Sequence, residues 1–70
     1  MYKILVFNRE AYFDGEQIEY FETDKTFISN MENYLYDISA DSEIIAVQFF
    51  DDTNRRPYKC IITIKEKVEK

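Results

Sequence analysis

The sequence predicts an α+β domain, with four antiparallel strands in one sheet, in the order ββαββ, and a single helix packed on one face. Two observations carry that expectation. Four segments rich in β-branched and aromatic residues flank one stretch whose apolar residues recur every three or four positions. Turn-forming residues at Asp14-Gly15 and from Asp51 to Pro57 separate the strands in pairs.

The first strand runs from Tyr2 to Arg9. Ile4 and Val6 fall on one side and Leu5 and Phe7 on the other, which predicts a central strand covered on both faces. Gly15 tolerates the positive φ of a tight turn, so Asp14-Gly15 leads into a second strand from Glu16 to Glu22. Asp24 is then the expected N-cap of a helix running to about Ser39. Phe27, Met31, Leu35 and Ile38 would form its buried stripe, with Glu32, Asn33, Tyr36 and Asp37 on or near the opposite face.

The third strand spans Glu43 to Phe50, with Ile45, Val47 and Phe49 opposite Ile44, Ala46 and Phe50. The fourth spans Tyr58 to Lys65. Its Cys60, Ile62 and Ile64 alternate with Lys59, Thr63 and Lys65, the pattern of a sheet with one wet face. One helix covers one face only. Twelve aromatic residues and two strands apolar on both sides leave apolar surface for loops, a second copy or a partner to cover.

Seventy residues make a single domain, 1–70. A chain of this size buries only about 60% of its unfolded surface and benefits from a further support. Cys60 is the only cysteine, so no internal disulfide can form, and with no histidine a lone thiolate cannot hold zinc. Self-association is the support left open. A lone cysteine fits a reducing cytoplasm. The run Ile4-Leu5-Val6-Phe7 is too short for a secretory or membrane-spanning segment.

Catalysis has little to work with. There is no histidine to act as general base and only one glycine, so no phosphate loop. Cys60 falls on the apolar side of its strand, and Asp51-Asp52 reads as a solvated turn, not a magnesium site. The expectation is no enzyme, no metal and no cofactor.

The net charge of −5 is unevenly placed. Residues 10–52 carry twelve Asp and Glu against Lys25 alone, whereas residues 53–70 carry six Lys and Arg against Glu66 and Glu69. Nucleic acid is a poor ligand for such a chain, because phosphate binding draws on Lys and Arg. A basic protein surface suits it better. Arg55-Arg56, at a turn, read as solvated.

Three segments resemble one family. Asp14-Gly15-Glu16-Gln17 with Glu19-Tyr20, Glu32 beside Tyr34 and Tyr36, and Ala40-Asp41-Ser42-Glu43-Ile44-Ile45 are similar, in that order over about residues 14–50, to the small dimeric phage inhibitors of uracil-DNA glycosylase. That family acts by DNA mimicry. The resemblance implies a homodimer in the host cytoplasm whose acidic groups occupy the enzyme's phosphate positions, beside an apolar pocket for the side chain that wedges into DNA. Glu19, Glu22 and Glu32 would mimic phosphates, and Tyr20 and Tyr36 would build the dimer and the pocket; Asp37, on the helix with Glu32, belongs to the acidic surface read from the residues themselves and would meet the partner there. Two alternatives stay open: the same mimicry aimed at a CRISPR or restriction nuclease, and a small dimeric adaptor whose charge is incidental.

Overall fold

The computed structural model describes residues 1–67. Its elements are β1 (Tyr2–Asn8), β2 (Ala11–Phe13), β3 (Ile18–Tyr20), α1 (Asp24–Ile38), β4 (Ser42–Asp51) and β5 (Pro57–Glu66). The class is α+β, with one helix and antiparallel strands. The strands are divided, however, between a three-stranded sheet of order β1-β5-β4 and a separate β2-β3 hairpin. The expected single four-stranded sheet is therefore replaced by a sheet plus a ribbon.

The division has a local cause. Asp14 Oδ1 accepts from the backbone N–H of Glu16 and Gln17, both at 2.9 Å, and Gly15 takes φ +104°. That tight turn pairs Ile18–Tyr20 with its sequence neighbours Ala11–Phe13, a strand the sequence reading lacked. β1 is consequently left on the edge of the main sheet. Its expected central, doubly covered position is overturned: Ile4 is 68% and Val6 52% exposed.

β5 occupies the centre because it alone has neighbours on both sides. It pairs with β1 from Tyr2↔Lys65 to Asn8↔Lys59 and with β4 across the 52–56 turn. Its alternation behaves as expected, with Cys60, Ile62 and Ile64 buried against Phe27 and Met31 of α1. Leu5, Phe7, Tyr34, Leu35, Ile38 and Ile44 pack around that core. Phe7 meets Tyr34 edge-on at 4.8 Å, and burial of each large side chain contributes about 1.5–3 kcal/mol.

Two further corrections concern positions. The N-cap of α1 is Thr23, whose side chain accepts from Thr26 N–H at 3.1 Å. Asp24 sits one residue later, inside the first turn, where its charge complements the helix dipole. In β4 a register shift between Ile44 and Ala46 changes the expected faces. Ile44 lies opposite Ile64 and joins the core side with Val47 and Phe49, which lie opposite Ile62 and Cys60.

The molecule is long and thin, 55 × 17 × 16 Å. Nothing among the described residues covers the sheet face away from α1, where Tyr2, Ile4 and Val6 lie beside Ile61 and Thr63. No described helix is long and apolar enough to cross a membrane.

Candidate functional site

Arg9 organises one end of the molecule. Its backbone N–H donates to Tyr58 O at 2.8 Å, which fixes the residue at the end of β1. From there its fully buried side chain turns inward. Nη1 donates to Asp24 Oδ1 at 2.6 Å and to Pro57 O at 2.7 Å, and Nη2 donates to Glu22 O. The guanidinium lies 4.0 Å from the centre of the Tyr20 ring, a cation–π contact screened from water.

Arg56 approaches the same ring at 4.8 Å. It pairs with Glu19 Oε2 and Asp24 Oδ1, both at 3.4 Å. The Tyr20 hydroxyl donates to Asp52 Oδ2 at 2.6 Å. Asp52 Oδ1 also accepts from the N–H groups of Asn54 and Arg56, so it holds the β4–β5 turn in shape. Two arginines, three carboxylates and a tyrosine thus tie the hairpin, the helix start and the turn into one unit.

The titration behaviour follows from these contacts. Burial and the Asp52 hydrogen bond push the Tyr20 hydroxyl up to about 12. The Arg9 hydrogen bond holds the Asp24 carboxyl below its usual range. Asp52 is held low by its bonds from Tyr20 and from the Arg56 backbone. Burial pushes the Cys60 thiol up, which suits packing and not nucleophilic attack.

Of the expected partner-binding residues, the structure brings Glu19, Tyr20 and Glu22 together here. Glu19 is engaged by Arg56, and Gln17 Nε2 also donates to it at 2.6 Å. Tyr20 lies against both guanidiniums and also lines an open cleft beside them. Glu22 accepts from Asn30 Nδ2 at 2.7 Å, which lays its carboxylate along the second turn of α1.

Glu32, Tyr36 and Asp37 stand apart from that unit, exposed on the outer side of α1. Tyr36 is 82% exposed. Five residues of helix turn Glu32 and Asp37 about 140° from one another, so they occupy opposite flanks. Asp37 shares its flank with Asn30, seven residues and about 10 Å along the axis, and so with the carboxylate of Glu22. The acidic groups form two strips and not one row.

Sequence reasoning missed Arg9 and Arg56, and it read the Asp51-Asp52 turn as merely solvated. Asp52 carries a local signal, since an Asp side chain readily accepts from the backbone N–H two residues on, as from Asn54 here. Arg9 has none, because its partners are 13 to 48 residues away. Beside the unit lies an open cleft of 520 Å³ lined by Gln17, Ile18, Tyr20, Asp52, Asn54 and Tyr58. No group of three metal-ligating side chains occurs among the described residues. No protein-family model, no curated protein and no solved structure matches the chain.

Proposed function

We propose that this chain is a non-enzymatic inhibitor that offers carboxylates to a basic DNA-binding enzyme in place of DNA. Uracil-DNA glycosylase is the target to which the resemblance over residues 14–50 points. The observation that carries the reading is the exposure of Glu32 and Asp37 on one rigid helix. Neither forms an ion pair with any described residue. Glu22, fixed to Asn30, extends the Asp37 flank into a second acidic point. Carboxylates held about 10 Å apart along one flank of the helix, that of Glu22 at Asn30 and that of Asp37, can meet lysines and arginines spaced to grip a phosphate backbone. Glu19 contributes less, because Arg56 already neutralises it.

Charge reversal tests this reading. Glu22→Lys/Glu32→Lys/Asp37→Lys should weaken binding to the glycosylase by at least about a hundredfold, and salt should slow association of the parent chain. Unchanged affinity in the triple variant sinks the mimicry. A CRISPR or restriction nuclease could be approached through the same strips. The uncovered sheet face favours a second reading, a small adaptor that binds through apolar area, for which the triple variant would bind as well as the parent.

A further inference from the structure

Among the described residues no strand pairs with the outer edge of β1, and the register of that edge can be read from the ladder on its other side. Glu66 N–H donates to Met1 O at 3.0 Å, and Arg9 N–H donates to Tyr58 O at 2.8 Å. Both contacts continue the register that pairs Tyr2 with Lys65 and Asn8 with Lys59. Bonded and unbonded pairs alternate along an antiparallel ladder. The odd-numbered residues from 1 to 9 therefore direct their backbone groups to β5. Tyr2, Ile4, Val6 and Asn8 direct theirs outward, where no strand follows in the order β1-β5-β4.

The two edges of the sheet differ. Proteins blunt edges with bulges, prolines and charges. β4 has irregularities at Ile44/Ala46 and Phe50/Asp51 and carries Glu43 and Asp51. β1 has an unbroken register and one charge, Lys3, which is paired with Glu66. The outward-bonding positions Tyr2, Ile4 and Val6 also carry the exposed apolar side chains of the uncovered face, at 64%, 68% and 52%.

We propose that β1 pairs antiparallel with β1 of a second copy, about a two-fold axis through Leu5, to make one six-stranded sheet. Parity selects the register. Tyr2 opposite Asn8 and Ile4 opposite Val6 of the second copy engage every outward group and form about eight backbone hydrogen bonds, where a slip of two residues leaves about six. In this register Lys3 faces Phe7 of the second copy, so no like charges oppose one another. Ile4 meets Val6 side by side on the apolar face. The pairing stands independently of the mimicry reading, since it uses none of Glu22, Glu32 or Asp37.

Sedimentation equilibrium of the full chain should give twice the 8.5 kDa chain mass. Val6→Pro removes one outward N–H and leaves the bonds to β5 in place, as an edge proline is tolerated where its nitrogen faces solvent. That variant should be monomeric with an unchanged circular dichroism spectrum. Ile4→Thr/Val6→Thr keeps every backbone group while thinning the apolar face, and should remain dimeric with Kd within about tenfold of the parent. Loss of its dimer would mean that faces stack instead, overturning the proposal. Amide exchange of the parent chain carries the test even if Val6→Pro fails to fold. The N–H groups of Tyr2, Ile4, Val6 and Asn8 should slow as concentration rises. A chain monomeric at millimolar concentration, or fast exchange at those four amides in the dimer, contradicts the pairing.

Discussion

Arg9 and Asp24 join the end of the first strand to the first turn of the helix, Nη1 to Oδ1 at 2.6 Å, with the guanidinium fully enclosed and the carboxylate half in water. A buried charge is tolerated when it is paired and hydrogen-bonded, and Arg9 has the carbonyls of Pro57 and Glu22 as well, while its Nε has no partner among the described residues. The pair fixes where the hairpin and the helix start, and so where Glu22 lies.

Arg9→Ala should cost about 3–5 kcal/mol, because it leaves two carbonyls without donors and empties an enclosed volume. For a domain this small, that is a large share of its stability. Asp24→Asn should cost a similar amount, since it leaves the enclosed guanidinium with carbonyl partners but no counter-charge. Urea unfolding of both variants checks this, and an Asp24→Asn variant as stable as the parent would contradict it.

Tyr20 predicts alkaline sensitivity. Its hydroxyl titrates at about 12 in the folded chain, against 10.0 for an unperturbed tyrosine. Between those values the unfolded state has lost the proton that the folded state retains. The unfolded state binds fewer protons, so stability falls as pH rises. The contribution is complete below pH 10 and gone by about pH 12. Tyr20→Phe should flatten the fall across that window, as read by thermal melts at stepped pH.

Asp14, Asp24 and Asp52 predict the opposite slope in acid. All three carboxyls are held below the ordinary aspartate value of 3.8 by hydrogen bonds that favour the charged form. Their contribution is present above the unfolded value and is lost as pH falls through the lower folded values. Melting temperature should therefore drop below about pH 4, and Asp52→Asn should reduce the slope.

Arg55 occupies the left-handed region, φ 62°, in the turn closed by Arg55 N–H to Asp52 O at 3.1 Å. A side chain there is strained, and glycine is not. Arg55→Gly should raise stability by about 1 kcal/mol in urea unfolding, the left-handed penalty less the extra chain entropy of glycine. A loss would show that the Arg55 side chain makes a contact worth more than the strain.

The elements legible in the sequence were those that declare themselves locally. Phe27, Met31, Leu35 and Ile38 repeat at helical spacing, and Cys60, Ile62 and Ile64 alternate with polar neighbours, so their inward faces were readable. Tyr2 to Asn8 is apolar on both sides and carries no such information. Its edge position arises from Asp14 and Gly15 pairing the hairpin with itself. Asp24 looked like a cap because Thr23 and Asp24 are both capping residue types. The choice fell to Thr23, while Arg9 holds the Asp24 carboxylate. Ile44 changed side through an irregularity that no alternation announces. Within the expected site, Glu32, Tyr36 and Asp37 were placed correctly on the outer helix. The engagement of Glu19 and Tyr20 by arginines distant in sequence was not legible.

Titrating the purified chain into a uracil-excision reaction is the most direct measurement. Excision should stop near one inhibitor unit per glycosylase and recover when Glu22, Glu32 and Asp37 are reversed to lysine. Full excision in the presence of excess chain would contradict it.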